Sequence, residues 1–365
     1  MKVVKQSVIY ENPLPQLRSR QSAFPFLARR GDGVLLAAHQ IGEAFESADG
    51  ASYVSVSRDG GETWEAPRRM FPRSCGRPVS ESCKITALAD GRFIALGYAY
   101  YRDDPEKPIG NPETGGLLDD FVFWSESGDG VEWGPMRPIP SAWGPHTEAS
   151  APLTVLKSGA WITPVTGFPK WDGTTTGPMC GRALRSDDGG RTWNDDAVCM
   201  AFPSGTVTCY EQRMCELGSG TLVCIGWNED TKTGERLENH YTVSRDGGAT
   251  WSAPVPTGVR GQASSVCALG GERLLALHAV RRDTDRPGIY GYVVDLSGGR
   301  WEILDSALLW EPAVPPVRDP RMAAIFSFLK FGQPGAVVLP DGDALMSFWY
   351  AQDGQYRTQA ARIRF

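Results

Sequence analysis

Ser244–Trp251 reads S-R-D-G-G-A-T-W, Ser57–Trp64 reads S-R-D-G-G-E-T-W, and Ser186–Trp193 reads S-D-D-G-G-R-T-W. A looser copy, S-E-S-G-D-G-V-E-W, runs from Ser125 to Trp133. In each copy the Asp side chain can accept hydrogen bonds from the backbone of its own turn, and glycine can take the positive φ angles the turn demands. The residues that follow restart a strand, with the indole as a large apolar anchor. A tight Asp-Gly turn between two strands is a hairpin signal. Four hairpins of one design are four copies of one supersecondary unit, so the chain is a repeat protein. The anchoring tryptophans at 64, 133, 193 and 251 stand about 60 to 70 residues apart. That is wider than the roughly 40–45 residues of a WD40 blade and leaves room for four strands with long connections.

Working outward, the same grammar of strand, turn, strand, loop, strand recurs along the chain. It runs through R-Q-S-A-F-P-F-L (20–27), the Asp32-Gly33 turn, V-L-L-A-A-H (34–39) and Y-V-S-V-S-R-D-G-G (53–61). It returns in 81–98, 147–165 and 210–227. A fifth copy with a worn turn covers 262–278 and 290–301, and a sixth covers 333–350 followed by the C-terminal strand. The N-terminal V-V-K-Q-S-V-I-Y (3–10) has no unit of its own and is expected to complete the sixth, hiding the sheet edges. The expectation is one all-β domain over 1–365, a six-bladed β-propeller of four-stranded antiparallel blades closed by the N-terminal strand.

Composition agrees. The 42 glycines and 27 prolines are too many for a helical protein of 365 residues. No apolar run reaches the ~20 residues of a membrane helix, so no membrane partner is expected. The opening M-K-V-V-K-Q-S-V-I-Y-E-N lacks the apolar core of a signal peptide, which predicts a cytoplasmic protein. Cysteines at 75, 83, 180, 199, 209, 215, 224 and 267 include no C-x-x-C pair, and several lie in apolar strand-like runs. They read as buried free thiols, not as disulfides or a metal cluster. A net charge of −6 without a basic stripe argues against nucleic acid. Neither metal nor cofactor is expected.

The repeated octapeptide resembles the Asp-box, or BNR repeat, and the chain as a whole resembles the sialidase superfamily of β-propellers. That resemblance implies that the boxes mark the fold, and that the site lies where inner strands start and second strands end. Those positions hold Arg20 and His39 in blade one; Glu81, Lys84, Tyr98 and Tyr100 in blade two; and His146, Glu148, Lys170 and Trp171 in blade three. They hold Tyr210, Glu211, Arg213, Trp227 and Asn228 in blade four, Gln262, His278, Arg281 and Arg282 in blade five, and Gln333, Trp349 and Tyr350 in blade six. Polar side chains converging with aromatic platforms suit a saccharide.

By the resemblance, Arg20 in R-Q-S-A-F is similar to the first carboxylate-binding arginine of sialidases. Glu211 in Y-E-Q-R-M-C-E-L-G-S-G-T-L is similar to the glutamate that polarises their tyrosine nucleophile. Three positions depart from the pattern. Trp227 stands where a second arginine is expected, Gln333-Pro334-Gly335 where the tyrosine would be, and His39-Gln40-Ile41-Gly42-Glu43 in place of an Asp-rich loop. The resemblance therefore implies a carbohydrate-active enzyme other than a sialic-acid hydrolase.

The leading expectation is a glycoside hydrolase. Glu211 pairs with Glu148 or Glu81 as its two carboxyl groups, and His146 is an alternative proton donor. Arg20, Arg213 and Arg282 would hold an acidic or hydroxyl-rich group, and Trp171 or Trp227 would stack on a sugar face. A lyase acting on uronates is the alternative, drawing on His146, His278, Tyr210 and Arg20. A non-catalytic carbohydrate-binding propeller is the third, because Asp-boxes alone license no activity.

Overall fold

In the computed structural model, which describes residues 1–72, 76–282, 284–315 and 329–365, all regular structure is β. Six antiparallel sheets form the blades of a ring, and a separate two-stranded ribbon pairs Glu229–Asp230 with Glu235–Arg236. Blade one consists of Gln21–Arg29, Leu35–Gly42, Ala51–Ser57 and Arg68–Arg69, and blade two of Val79–Ala87, Phe93–Tyr101, Asp120–Ser127 and Arg137–Pro138. Blade three has Trp161–Gly167, Cys180–Ser186 and Asn194–Ala201 behind an inner strand split into Thr147–Glu148 and Thr154–Val155. Pro152 lies in the split; a proline has no amide hydrogen to give the ladder. Blade four is Tyr210–Glu216, Leu222–Trp227, His240–Ser244 and Val255–Pro256, and blade five is Ser264–Gly270, Arg273–Val280, Gly288–Asp295 and Glu302–Trp310.

The sixth sheet closes the ring. Its order is Lys2–Tyr10, Gln355–Arg364, Ala344–Gln352, Phe331–Val338, so the N-terminal strand is its outermost member. The N-terminal strand also reaches sideways. Ser7 Oγ donates to Gly61 O and accepts from the Trp64 indole at 3.1 Å. In the other boxes the tryptophan instead donates within its own turn, Trp193 to Gly190 and Trp251 to Gly248. In the first Asp-box Ser7 stands between the Trp64 indole and the Gly61 carbonyl, which fastens the N-terminal strand to blade one.

The apolar core is segmented. One cluster fills each junction between neighbouring blades, for example Leu36, Val54 and Phe71 of blade one against Ile85, Phe93 and Phe123 of blade two. At the closure, Ile9, Leu339, Leu345 and Ala360 meet Leu27 and Leu35. Second strands are covered on both faces, which explains unbroken apolar runs such as Leu222–Gly226.

The boxes work as the sequence suggests. Asp246 accepts from the Thr250 backbone at 2.9 Å and from its hydroxyl at 2.5 Å, and Ser244 Oγ takes the Gly248 amide. Those hydrogen bonds, the Thr250 hydroxyl first, hold the Asp246 carboxyl well below the usual range. Gly248 has φ +94°, and a Cβ there would meet Ile162 of blade three at 2.4 Å. The glycine is required by both turn and packing. Cys83, Cys180, Cys199, Cys209, Cys215 and Cys224 are buried free thiols, and Cys267 is a partly buried one. Cys75 lies outside the described residues.

Candidate active site at the channel mouth

Four inner-strand entries contain a non-glycine residue at positive φ: Phe24 (58°), His146 (69°), Glu211 (44°) and Gln333 (44°). Three of them lie in bulges, where the ladder slips between Ala23 and Phe26, Tyr210 and Arg213, and Gly332 and Gly335. A bulge re-aims a side chain, and strained backbone of this kind gathers at functional sites. Here the re-aimed side chains meet. Glu211 of blade four accepts one hydrogen bond from the Gln333 amide of blade six and one from the Trp227 indole at 2.8 Å. Gln333 accepts in turn from Lys84 Nζ of blade two at 3.2 Å, and Lys84 also donates to Phe24 O of blade one at 2.7 Å. Blades two, four and six are not neighbours. Inner-strand side chains that touch across them lie on the ring axis.

Charge is concentrated at the same place. Arg213 lies two residues beyond Glu211, 3% exposed, and donates to Ser150 Oγ at 3.0 Å and to Gln212 O at 2.8 Å. Burial lowers its pKa, opposed by the negative charges of Glu211 and Glu148. Burial, and then the charge of Arg213, pushes the Lys84 ammonium down to about 7. Glu148 is raised, first by burial and next by the charge of Glu211, which brings both carboxyls into one electrostatic unit. Arg281 of blade five is lowered to about 10 by burial, against which the charge of Glu211 acts.

Two aromatic walls flank this centre. Phe168 stacks on Tyr210 with ring centres 4.9 Å apart, and Tyr210 meets Trp227 edge-on at 4.9 Å. Opposite, Phe24 packs against Phe45 at 5.0 Å, and Phe45 against Trp349 at 5.1 Å.

Of the residues named from sequence, Glu211, Glu148, Lys84, Arg213, Trp227, Tyr210 and Gln333 are thus brought together. Burial raises the Tyr210 phenol far above its usual range, and its ring forms part of the first wall. Gln262 and Arg282 line an adjoining pocket instead of the axis.

The others make different contacts. His39 is 1% exposed and pinned between Ser22 at 2.9 Å and Ser55 at 3.2 Å. His278 is fully buried against Ser264 at 2.9 Å. Burial drives both imidazoles to about 3, so they are neutral core residues, not ligand contacts. Glu81 is 1% exposed and binds the Ser52 amide and Arg69 of blade one, pointing away from the axis. His146 is buried with its ring 3.4 Å from Asp119, and its amide donates to Asp120 at 2.7 Å; no hydrogen bond among the described residues joins it to Glu211. Arg20 lies beside Tyr10 of the closing strand, where it lowers the phenol pKa against the larger effect of burial. Trp171 is held in the loops of blades two and three, with Lys107 Nζ 3.8 Å above its ring. The three histidines do not converge, and no group of three His, Cys, Asp or Glu side chains suited to a metal occurs among the described residues.

Sequence reading missed Phe24, Phe45, Phe168 and Ser150. Phe24 and Gln333 each precede a proline within a strand, Pro25 and Pro334, and a proline there signals a bulge.

The geometry defines an Asp-box propeller with an acidic pair on its axis, and comparison with known proteins agrees at the level of fold. The BNR/Asp-box repeat family matches residues 55–66. A comparison with curated proteins finds no match. A protein of unknown function from Dyadobacter fermentans aligns over 100% of this chain and 99% of its own, with 18% identity and a TM-score of 0.75. The Hadza microbial sialidase Hz136 aligns over 98% of this chain and 68% of its own, with 16% identity and a TM-score of 0.68. A leech intramolecular trans-sialidase, solved with 2,7-anhydro-Neu5Ac, aligns over 99% and 70%, with 12% identity and a TM-score of 0.68. The chain is a six-bladed β-propeller, similar in fold to these sialidases.

Proposed function

We propose that the protein is a glycoside hydrolase that binds a saccharide over the channel mouth and does not release sialic acid. The observation that carries this reading is the meeting of Glu211 with Gln333 and Trp227 on the axis, close enough to Glu148 that its charge helps to raise the Glu148 carboxyl. Glycosidases need two carboxyl groups whose surroundings push their pKa values apart. Glu148 would give its proton to the glycosidic oxygen as the bond to the anomeric carbon breaks. Glu211 would face the positive charge growing on that carbon and take a proton from the incoming water, whose hydroxyl ends on the carbon. Arg213 and Lys84 compensate the charge, and the Trp227 ring offers a face for the sugar. The sialidases sharing this fold favour carbohydrate chemistry in general. Against sialic acid in particular stands Gln333, an amide bound to Glu211 where the resemblance asks for a tyrosine nucleophile.

A second reading, elimination from a uronate, is favoured by one observation. Lys84 is an axial amine lowered to about 7, within reach of the role of general base.

Turnover of a panel of neutral and acidic oligosaccharides, followed by reducing-end release, tests hydrolysis. The pH dependence has a definite sign. Glu148 keeps its proton to higher pH than an ordinary glutamate, so kcat/KM should be fullest below about 7 and fall as pH rises through that value. Glu148→Gln should remove most of the rate and this alkaline limb together. An alkaline limb unchanged in the residual activity of that variant assigns the acid elsewhere.

A further inference from the structure

The inner strand of blade three carries Thr147 and Glu148 side by side, paired with Gly167 and Thr166 of the second strand. Neighbouring residues of a strand face opposite ways. Beyond the effect of burial, the Glu148 carboxyl is raised by the charge of Glu211 at the axis. Thr147 instead lines a cavity of about 430 Å³ that reaches Cys180 and Arg182 of the blade's third strand. That volume falls within the ~300–1,000 Å³ of small-molecule sites. Phe168 lines it too, and the same ring stacks on Tyr210 in the wall of the channel mouth. The Phe168 amide donates to His146 O at 2.7 Å, which ties this side of the cavity to the segment leading into Glu148.

The far side is held as firmly. Trp143 stands over the Arg182 guanidinium at 4.7 Å, and its amide donates to Ser141 Oγ at 3.1 Å. Ser141 in turn donates to Asp195 at 2.6 Å, and Asp195 accepts from Arg182 at 2.8 Å. Arg182, the only charged side chain lining the cavity among the described residues, is thus neutralised within the protein. A Cβ at Gly177 would come within 2.0 Å of the Trp143 ring, so the rim closes on the indole only because that position is glycine. Phe168, Pro169, Pro178 and Met179 supply further apolar surface, and no carboxylate or carboxamide lines the cavity among the described residues. A sugar ring there would bury several hydroxyls with few acceptors to meet them, whereas a flat ring with one hydroxyl would lose little.

A general acid protonates the oxygen that departs, so the leaving group lies on the acid's side of the bond being cut. With Glu148 as that acid, the leaving group points over blade three. We infer that this cavity is a leaving-group subsite, and that the substrate is a glycoside whose aglycone is a flat, uncharged aromatic group. The leaving-group role rests on the hydrolase reading; the preference for a flat ring rests on the lining alone.

Calorimetric titration of the full-length protein with 2-naphthol, a flat ring bearing one hydroxyl, and with methyl glucoside, a neutral sugar, tests the preference. Naphthol should bind more tightly by roughly tenfold or more, because it alone buries apolar surface well. In protein carrying carbon-13 at its methionine methyl groups, the ring current of naphthol should shift the Met179 resonance, which Met179→Leu identifies. Met179 is half-buried, so Met179→Gln should fold and weaken naphthol several-fold; if it does not fold, the resonance shift decides. Equal binding of the two probes overturns the inference, as does naphthol binding that leaves the Met179 resonance unmoved. Naphthol seated at Met179 in a protein that turns over no glycoside would remove the hydrolase reading, and the leaving-group role with it, and leave the aromatic site standing. Hydrolysis of glycosides without any shift at Met179 would keep the hydrolase reading and remove the subsite.

Discussion

Replacing Glu211 by glutamine is expected to slow turnover by roughly 100-fold or more, the scale of a lost general acid or base, with little change in melting temperature. The local hydrogen bonding explains why the fold should tolerate it. Glu211 accepts from both Trp227 and Gln333. A glutamine can keep the Trp227 bond with its carbonyl and offer its amide to Gln333, which need only turn over its own amide. The loss would then be one Lys84–Gln333 contact, since Lys84 would face an NH₂ group. A purely structural Glu211 predicts the opposite pattern, a lower melting temperature with the folded fraction fully active. Parallel calorimetry and steady-state kinetics on one preparation distinguish the two.

Deleting residues 1–12 is expected to lower the melting temperature by roughly 10 °C or more, because at this size each lost kcal/mol is worth only a few degrees and several interactions go together. The deletion strips the ladder between Lys2–Tyr10 and Gln355–Arg364, exposing the edge of blade six. It empties the place of Ile9, 4% exposed, in the cluster that joins blades six and one. It also leaves the Trp64 indole without Ser7. A truncated protein melting with the intact one would show that the ring is closed by other contacts.

The fold was legible because its signals are local and repeated. An Asp, its glycines and a tryptophan specify one turn each, and four turns specify a ring. The site was legible only in part, because it depends on which way individual side chains point. Glu81 and Lys84 share a strand, and both looked like rim residues. They lie an odd number of positions apart, so the pleat sends them to opposite faces. Glu81 enters the junction with blade one and Lys84 reaches the axis. His39 and His278 end up inside for a related reason: each meets an inner-strand serine, Ser22 or Ser264, within the blade. The bulges at Phe24, Glu211 and Gln333 displace the local register and so decide what faces the channel. Pro25 and Pro334 mark two of them in the sequence, whereas Glu211 is followed by Gln212 and not by a proline. The ring of contacts around Glu211 joins residues more than 100 positions apart, Gln333 above all, and no local pattern specifies such a meeting.

The most direct measurement is mass analysis of early products formed from an acidic oligosaccharide in water enriched in heavy oxygen. Hydrolysis through Glu211 and Glu148 predicts one heavy oxygen on the new reducing end, and no label beyond background when Glu211→Gln replaces the unaltered protein. An unsaturated product lighter by one water and carrying no label would contradict the account and assign the axis to elimination, with Lys84 as the base to test next.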